Sequence, residues 1–262
     1  MPRPSHVPTD FVTSYRSLDV ELVGGRGHYD AAIEAVLAAE TSVWIATANL
    51  KELMVEDGRA RPGVRRARGR SSYRSILEVL ADHARRGVEL RILHADRPSG
   101  PFRAELARHP VLDEGGLALR LCPRNHMKAV IVDGRRLYLG SANWTGAGLG
   151  ARGATRRNFE LGVMTEDTRV LDHVQGLYQH LWSGGACGAC GLRERCPGPL
   201  DLLEQLSAEV PAPSHLAAGS PAAPGSPEAA VTSVTAAVSV PVSPRRRAKS
   251  KPTRRRRAAR PS

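Results

Sequence analysis

The sequence predicts an α/β domain with a largely buried sheet, and three observations carry that reading. From Val20 to about Trp182 short apolar runs alternate with amphipathic stretches, the pattern of strands enclosed by helices. Between most of the runs, apolar residues recur at three- and four-residue spacing, which marks the buried face of a helix. After Trp182 the alternation stops.

Seven runs are expected as strands: Val20 to Val23, Ser42 to Ala48, Val88 to His94, Leu117 to Cys122, Met127 to Val132, Leu137 to Leu139 and Leu161 to Thr165. Each is short, rich in Val, Ile and Leu, and suited to a sheet covered on both faces. The clearest helices are Tyr29 to Ala39, Tyr73 to Arg86, Phe102 to Arg108 and Thr168 to Trp182. The second of these ends at Gly87, a usual residue just past a helix C-terminus. Beyond the domain at 20–182 lie a Gly- and Cys-rich stretch with a short helical candidate, Leu200 to Glu209, making up 183–209. A run of Ala, Pro, Ser and Val at 210–243 follows, and then a basic tail at 244–262. The Ala/Pro/Ser run cannot bury enough apolar surface to offset its ordering entropy and is expected as a disordered linker. Residues 1–19 read as an N-terminal extension.

The net charge of +12 is a property of the tail. Pro244 to Ser262 holds ten basic residues and no acidic one, which leaves 28 basic against 26 acidic residues before it. Such a block is usually solvated, and polyanions are its natural partners. A second basic cluster, Arg59, Arg61, Arg65, Arg66, Arg68, Arg70 and Arg74, occupies a Gly- and Pro-containing loop between a strand and a helix. Functional residues favour such loops, so Arg65, Arg66, Arg68 and Arg70 are candidates to face the substrate; the alternative is a solvated loop. The opening segment MPRPSHVPTD has no apolar core suited to an export signal, and no apolar run approaches the length of a bilayer span. A cytoplasmic location is expected.

Residues 126 to 143 read HMKAVIVDGRRLYLGSAN. This places His126, Lys128, Asp133, Gly140, Ser141 and Asn143 at the spacing H-x-K-x4-D-x6-G-S-x-N. Six specified residues occur by chance on the order of 10⁻⁸ per starting position. Residues two apart on a strand project from one face, so the imidazole of His126 and the ammonium of Lys128 meet one phosphate. Ser141 and Asn143, also two apart, add neutral donors. Donors and a nucleophile without carboxylate metal ligands suit phosphoryl chemistry that needs no divalent ion.

The pattern resembles the HKD signature of the phospholipase D superfamily. RNFELGV at 157–163 resembles that family's N-x-E segment, HARRGVELRIL at 83–93 its helix and following strand, and HVQGLYQHLW at 173–182 its closing helix. The resemblance implies a mixed β-sheet flanked by helices, a phospholipase D-like half-domain. It implies that His126 attacks phosphorus to give a phosphohistidine, while a second HKD histidine protonates the leaving oxygen and then activates water. Lys128, Ser141 and Asn143 would hold the non-bridging oxygens, and Glu160 would accept a hydrogen bond from His126. Asp133 is read as a positioning member of the catalytic set. None of the other eight histidines begins a second H-x-K, so the resemblance implies a homodimer with two His126 side chains facing across a two-fold axis. No cofactor is expected for catalysis.

Three features remain. Cys187, Cys190 and Cys196 are spaced C-x2-C-x5-C, which suits structural zinc or an iron-sulfur cluster, with Cys122 or His180 as the fourth ligand; the alternative is three reduced thiols on a loop. Trp144, beside Asn143, either rims the substrate pocket or packs in the core. The Arg-rich tail favours nucleic acid over anionic lipid, because its other residues are only Ala, Pro, Ser and Thr. The expected function is therefore a metal-independent phosphodiesterase, a nuclease or DNA-processing enzyme. The rivals are a phospholipase D or phosphatidyl-transfer enzyme and a non-catalytic nucleic-acid-binding protein.

Overall fold

The computed structural model of the chain describes residues 9–57 and 73–202. All seven expected strands are present, each within two residues of its expected bounds: β1 (Glu21–Gly24), β2 (Ser42–Thr47), β5 (Glu89–His94), β6 (Ala118–Leu121), β7 (Ala129–Val132), β8 (Arg136–Gly140) and β9 (Leu161–Thr165). They form one sheet in the order β1-β9-β8-β7-β2-β5-β6. β2 pairs parallel with β5, and β5 parallel with β6, while β7 runs antiparallel to β2, β8 to β7, β9 to β8 and β1 to β9. The sheet is thus mixed, and it changes from parallel to antiparallel at β2.

Helix α1 runs through Tyr29–Ile33 and Glu34–Leu37, α2 spans Ile76–Arg85, α3 Gly100–Leu106 and α4 Thr168–Trp182. The sequence pattern starts α2 at Tyr73, but Tyr73–Ser75 instead forms a strand, β4, paired with β3 (Met54–Glu56). Ser75 decides the boundary: its extended backbone precedes the helix and its hydroxyl accepts from Leu77 N at 3.0 Å, a capping arrangement that three-residue periodicity alone does not reveal. Ser99 caps α3 and Asp167 caps α4 in the same way.

Strand alternation divides the core. Val43, Ile45, Val130 and Val132 point to one face with Ile33, Val36, Leu77, Leu80 and Phe102 from the helices. Ala46, Ala129, Ile131 and Leu137 point to the other, where α4 contributes Leu171, Tyr178 and Trp182. All four residues of β7 are buried, which explains the unbroken AVIV run after Lys128. Arg74, part of the basic loop cluster in sequence, is 4% exposed and paired with Asp57, Asp82 and Glu78 at 2.9, 2.6 and 3.2 Å. It is a structural ion rather than a substrate contact. The linker and basic tail, like Arg65, Arg66, Arg68 and Arg70, lie outside the described residues.

Candidate active site

The mixed topology brings one end of four strands together. β2 ends at Thr47, β8 ends at Gly140, and β7 and β9 begin at Ala129 and Leu161, all on the same edge of the sheet. His126 and Lys128 stand just before β7, and Gly140 N donates to Lys128 O at 3.1 Å, which extends the pairing to the lysine. Gly140 and Gly162 face each other across β8 and β9. A Cβ at Gly140 would lie 2.5 Å from the Tyr138 hydroxyl and 2.8 Å from Leu161 O, so glycine is required there. Tyr138 uses the space to reach Nδ1 of buried His28 at 2.9 Å, and its phenol is pushed up to about 12, chiefly by burial.

His126 is exposed, and its ring meets Lys128, whose Nζ donates to Nδ1 at 2.8 Å and to the His126 carbonyl at 2.7 Å. Burial lowers the Lys128 ammonium, while the nearby Glu160 carboxylate partly restores it. The segment carrying His126 is held by Asn125, which is 3% exposed. Its Nδ2 donates to Thr47 O at 3.1 Å and Leu93 O at 2.9 Å, and its Oδ1 accepts from Met127 N at 3.3 Å. Sequence reasoning passed over this asparagine; its position directly before the histidine was the one available signal.

Asn143 holds the loop after β2. Its Oδ1 accepts from Ala48 N at 3.2 Å, Asn49 N at 3.1 Å and Thr47 Oγ1 at 3.3 Å. That use of the oxygen leaves its Nδ2 as a donor without a partner among the described residues. Thr47, also missed, accepts from Trp144 N at 2.9 Å and donates to Asn49 O at 2.9 Å. Beside Asn143 a groove of about 470 Å³ is lined by Asn49, Lys51, Glu52, Arg152 and Asn158 among others. The Glu52 carboxyl is pushed up to about 7, mainly by burial and against a hydrogen bond from Ser75.

Three expectations are corrected by the geometry. Glu160 reaches the site, but among the described residues its carboxylate accepts from the Ser141 hydroxyl and from Asn158 Nδ2, not from His126. Ser141 is correspondingly engaged with Glu160 and with Leu161 N at 3.1 Å, so it fastens β8 to β9 instead of standing free for phosphate. Trp144 is 2% exposed and packs in the core; it does not rim the groove, because its side chain turns to the face opposite its polar neighbours.

Asp133 has the positioning role expected of it, but stands apart from the catalytic set. It follows β7 at the end away from His126, in a turn with φ of 54°. Its carboxylate accepts from Ser42 N at 2.9 Å, Thr41 N at 2.7 Å, Thr41 Oγ1 at 3.0 Å and Glu40 N at 3.1 Å. Burial opposes ionisation, but the N–H groups of Ser42, Thr41 and Glu40 outweigh it and hold the carboxyl below the usual range. It positions the strand that presents the site and is not a catalytic residue. Of the cysteines, Cys122, Cys187 and Cys190 line one cavity and Cys196 lies outside its lining.

The sequence profile described as "Cardiolipin synthase, PLD-like domain" matches residues 33–182. Among solved structures, NucT from Helicobacter pylori is 19% identical, covering 62% of this chain and 94% of that one with a TM-score of 0.42. Nuc from Salmonella typhimurium, described as a phospholipase D family member, is 20% identical over 63% of this chain and 95% of that one, with a TM-score of 0.43. Phosphatidylserine synthase of Haemophilus influenzae Rd KW20 is 16% identical over 64% and 40%, with a TM-score of 0.38. No curated protein sequence matches the chain. With more than half of its length matched by that profile, the chain belongs to the phospholipase D superfamily of phosphodiesterases.

Proposed function

We propose that the protein hydrolyses nucleic-acid phosphodiesters through a phosphohistidine at His126, as a homodimer. The observation that carries the reading is an exposed histidine in contact with Lys128 at the edge where the ends of four strands meet. A phosphate arriving there takes the Lys128 ammonium onto a non-bridging oxygen and releases the imidazole. A nitrogen of His126 bonds to phosphorus as the ester P–O bond breaks, and the leaving oxygen takes a proton from His126 of the second copy. That second imidazole then removes a proton from water, whose oxygen attacks phosphorus and breaks the P–N bond, giving a phosphomonoester and free His126. Both proton transfers are internal to the pair, so no metal step is required.

Pairing is supported by an apolar strip next to the site. Cross-strand partners share a face, so Leu22, Val163 and Leu139 continue the face that α4 covers. At its open edge Leu22 is 71% and Leu161 60% exposed, and Phe159, between Asn158 and Glu160, is fully exposed. A second copy covering this strip brings the two histidines toward each other. Nucleic acid is favoured by the ten basic residues of the tail and by Lys51 and Arg152 in the groove. The basic tail neutralises phosphates without needing base contacts.

The test is hydrolysis in EDTA of single-stranded DNA, double-stranded DNA and phosphatidylcholine, with the mass in solution measured by light scattering. Cleavage of DNA alone by a dimer is expected. Release of choline alone would move the chain to the lipid enzymes, and full activity in a monomer would overturn the shared site.

A further inference from the structure

We infer that Cys122, Cys187, Cys190 and Cys196 form a four-thiolate metal site that clamps the segment 183–202 to the end of β6, ahead of the loop that carries His126. Cys122, Cys187 and Cys190 come from two stretches far apart in sequence and line one cavity of about 230 Å³ with Arg124, Leu177 and Leu181. All four cysteines are free and half-buried. The chain has no others, so every thiol it contains lies at this corner of the fold or on the adjoining turn.

Cys196, outside the lining of that cavity, follows on the same run of turns. Cys187 N donates to Gly184 O at 2.8 Å, Cys190 N to Cys187 O at 3.1 Å, Arg193 N to Cys190 O at 3.0 Å and Cys196 N to Arg193 O at 3.2 Å. The C-x2-C pair therefore sits on one tight turn, the arrangement in which two thiolates converge on one ion. His180, the other ligand open to the sequence, packs against Gly185, where a Cβ would lie 2.4 Å from its ring. Cys122 lines the cavity of the C-x2-C pair and His180 does not, which makes Cys122 the fourth ligand of the site. Its N–H donates to His94 O at 2.8 Å, which fixes it at the end of β6.

The need for a clamp follows from burial. Between Ser183 and Pro199 only Gly184 is buried, and the segment is made of turns. Leu200 in the core and the Arg193–Asp201 ion pair at 2.6 Å hold its far end, and for a stretch ordered at about 1–2 kcal/mol per residue thiolate coordination adds binding energy directly to the folded state. Arg124, hydrogen-bonded to Cys190, and Arg193 offset the negative charge that four thiolates carry. No three ligating side chains among the described residues stand on a common centre, so binding the ion requires the thiol side chains to move onto it. Zinc and an iron-sulfur cluster share this four-thiolate chemistry.

Metal analysis of the full-length protein, purified under anaerobic reducing conditions, tests the assignment without any substitution. About one zinc per chain, or iron with acid-labile sulfide and visible absorption, is expected. Each single Cys→Ser variant should lose that metal, and Cys122→Ser should in addition become cleavable by protease within 183–202. A metal-free wild type whose four thiols all react with a thiol reagent in the native state would overturn the site, as would a disulfide between Cys122 and Cys187. Full metal retention in any one Cys→Ser variant would overturn the four-thiolate set. Because the readouts are metal content and proteolysis, the result stands apart from that of the phosphodiesterase test.

Discussion

Asp133 offers a quantitative test of how the site is supported. Its carboxylate receives three backbone N–H groups and one hydroxyl from Glu40, Thr41 and Ser42 at 2.7–3.1 Å. Hydrogen bonds to a charged group contribute about 1.5–3 kcal/mol each, but Asp133 is half-buried and water can replace part of the set. The net loss in Asp133→Ala should therefore be about 2–4 kcal/mol, of which about 1 kcal/mol reflects alanine at a positive φ. Asp133→Asn tolerates that backbone and keeps one acceptor, so it should lose about half as much. For a domain of this size about 3 kcal/mol lowers Tm by roughly 6–12 °C. Because the folded state holds the Asp133 carboxyl below its ordinary value, its contribution is complete above about pH 4 and disappears as pH falls through the depressed value. Wild type and Asp133→Asn should converge in acid. Thermal melts from pH 3 to 8, with kcat measured well below Tm, check both points. An unchanged Tm together with a hundredfold loss of kcat would refute the argument and return Asp133 to the chemistry.

Asn143→Ala should lower stability by about 1–3 kcal/mol, by releasing Ala48 N and Asn49 N, and should lower kcat at least about 10²-fold; urea titration and single-turnover kinetics separate the two. Glu52, raised to about 7 chiefly by burial, favours the fold while protonated, so that stability declines as pH rises from the ordinary carboxylate range through about 7. Glu52→Gln should match wild type near pH 4 and exceed its Tm at pH 8; equal pH profiles would show that the carboxyl is not desolvated. Removal of residues 244–262 should flatten the salt dependence of nucleic-acid binding by up to about 0.7–0.9 per lost phosphate contact in log K against log salt. Turnover of a small diester should be unchanged by that truncation.

The fold was legible because its strands are short Val, Ile and Leu runs, and because the H-x-K-x4-D-x6-G-S-x-N spacing names the residues at their ends. The β3–β4 pair was not, since Tyr73–Ser75 continues the helical period of α2 and only the Ser75 cap breaks it. His126 and Lys128 meet as their two-residue spacing requires, while Asn143 is fastened to the loop after β2. Glu160 is found two strands from where its expected partner lies, and its choice of Ser141 depends on the β8–β9 register, which no local pattern encodes. Trp144 turned inward for a reason that follows from alternation: it neighbours Asn143, so a groove-facing asparagine sends the tryptophan to the core. Asn125 and Thr47 are buried polar residues whose worth lies in the carbonyls and N–H groups they serve, and those belong to strands far away in sequence.

Rapid quench of the protein with a labelled diester in excess EDTA, followed by peptide mapping, looks for the covalent His126 intermediate directly. Phosphate attached to the peptide containing His126 is expected, stable in base, labile in acid, and missing from His126→Asn, which should keep the wild-type Tm because the side chain is exposed. Hydrolysis without such an adduct, lost in EDTA and restored by magnesium, would contradict that intermediate.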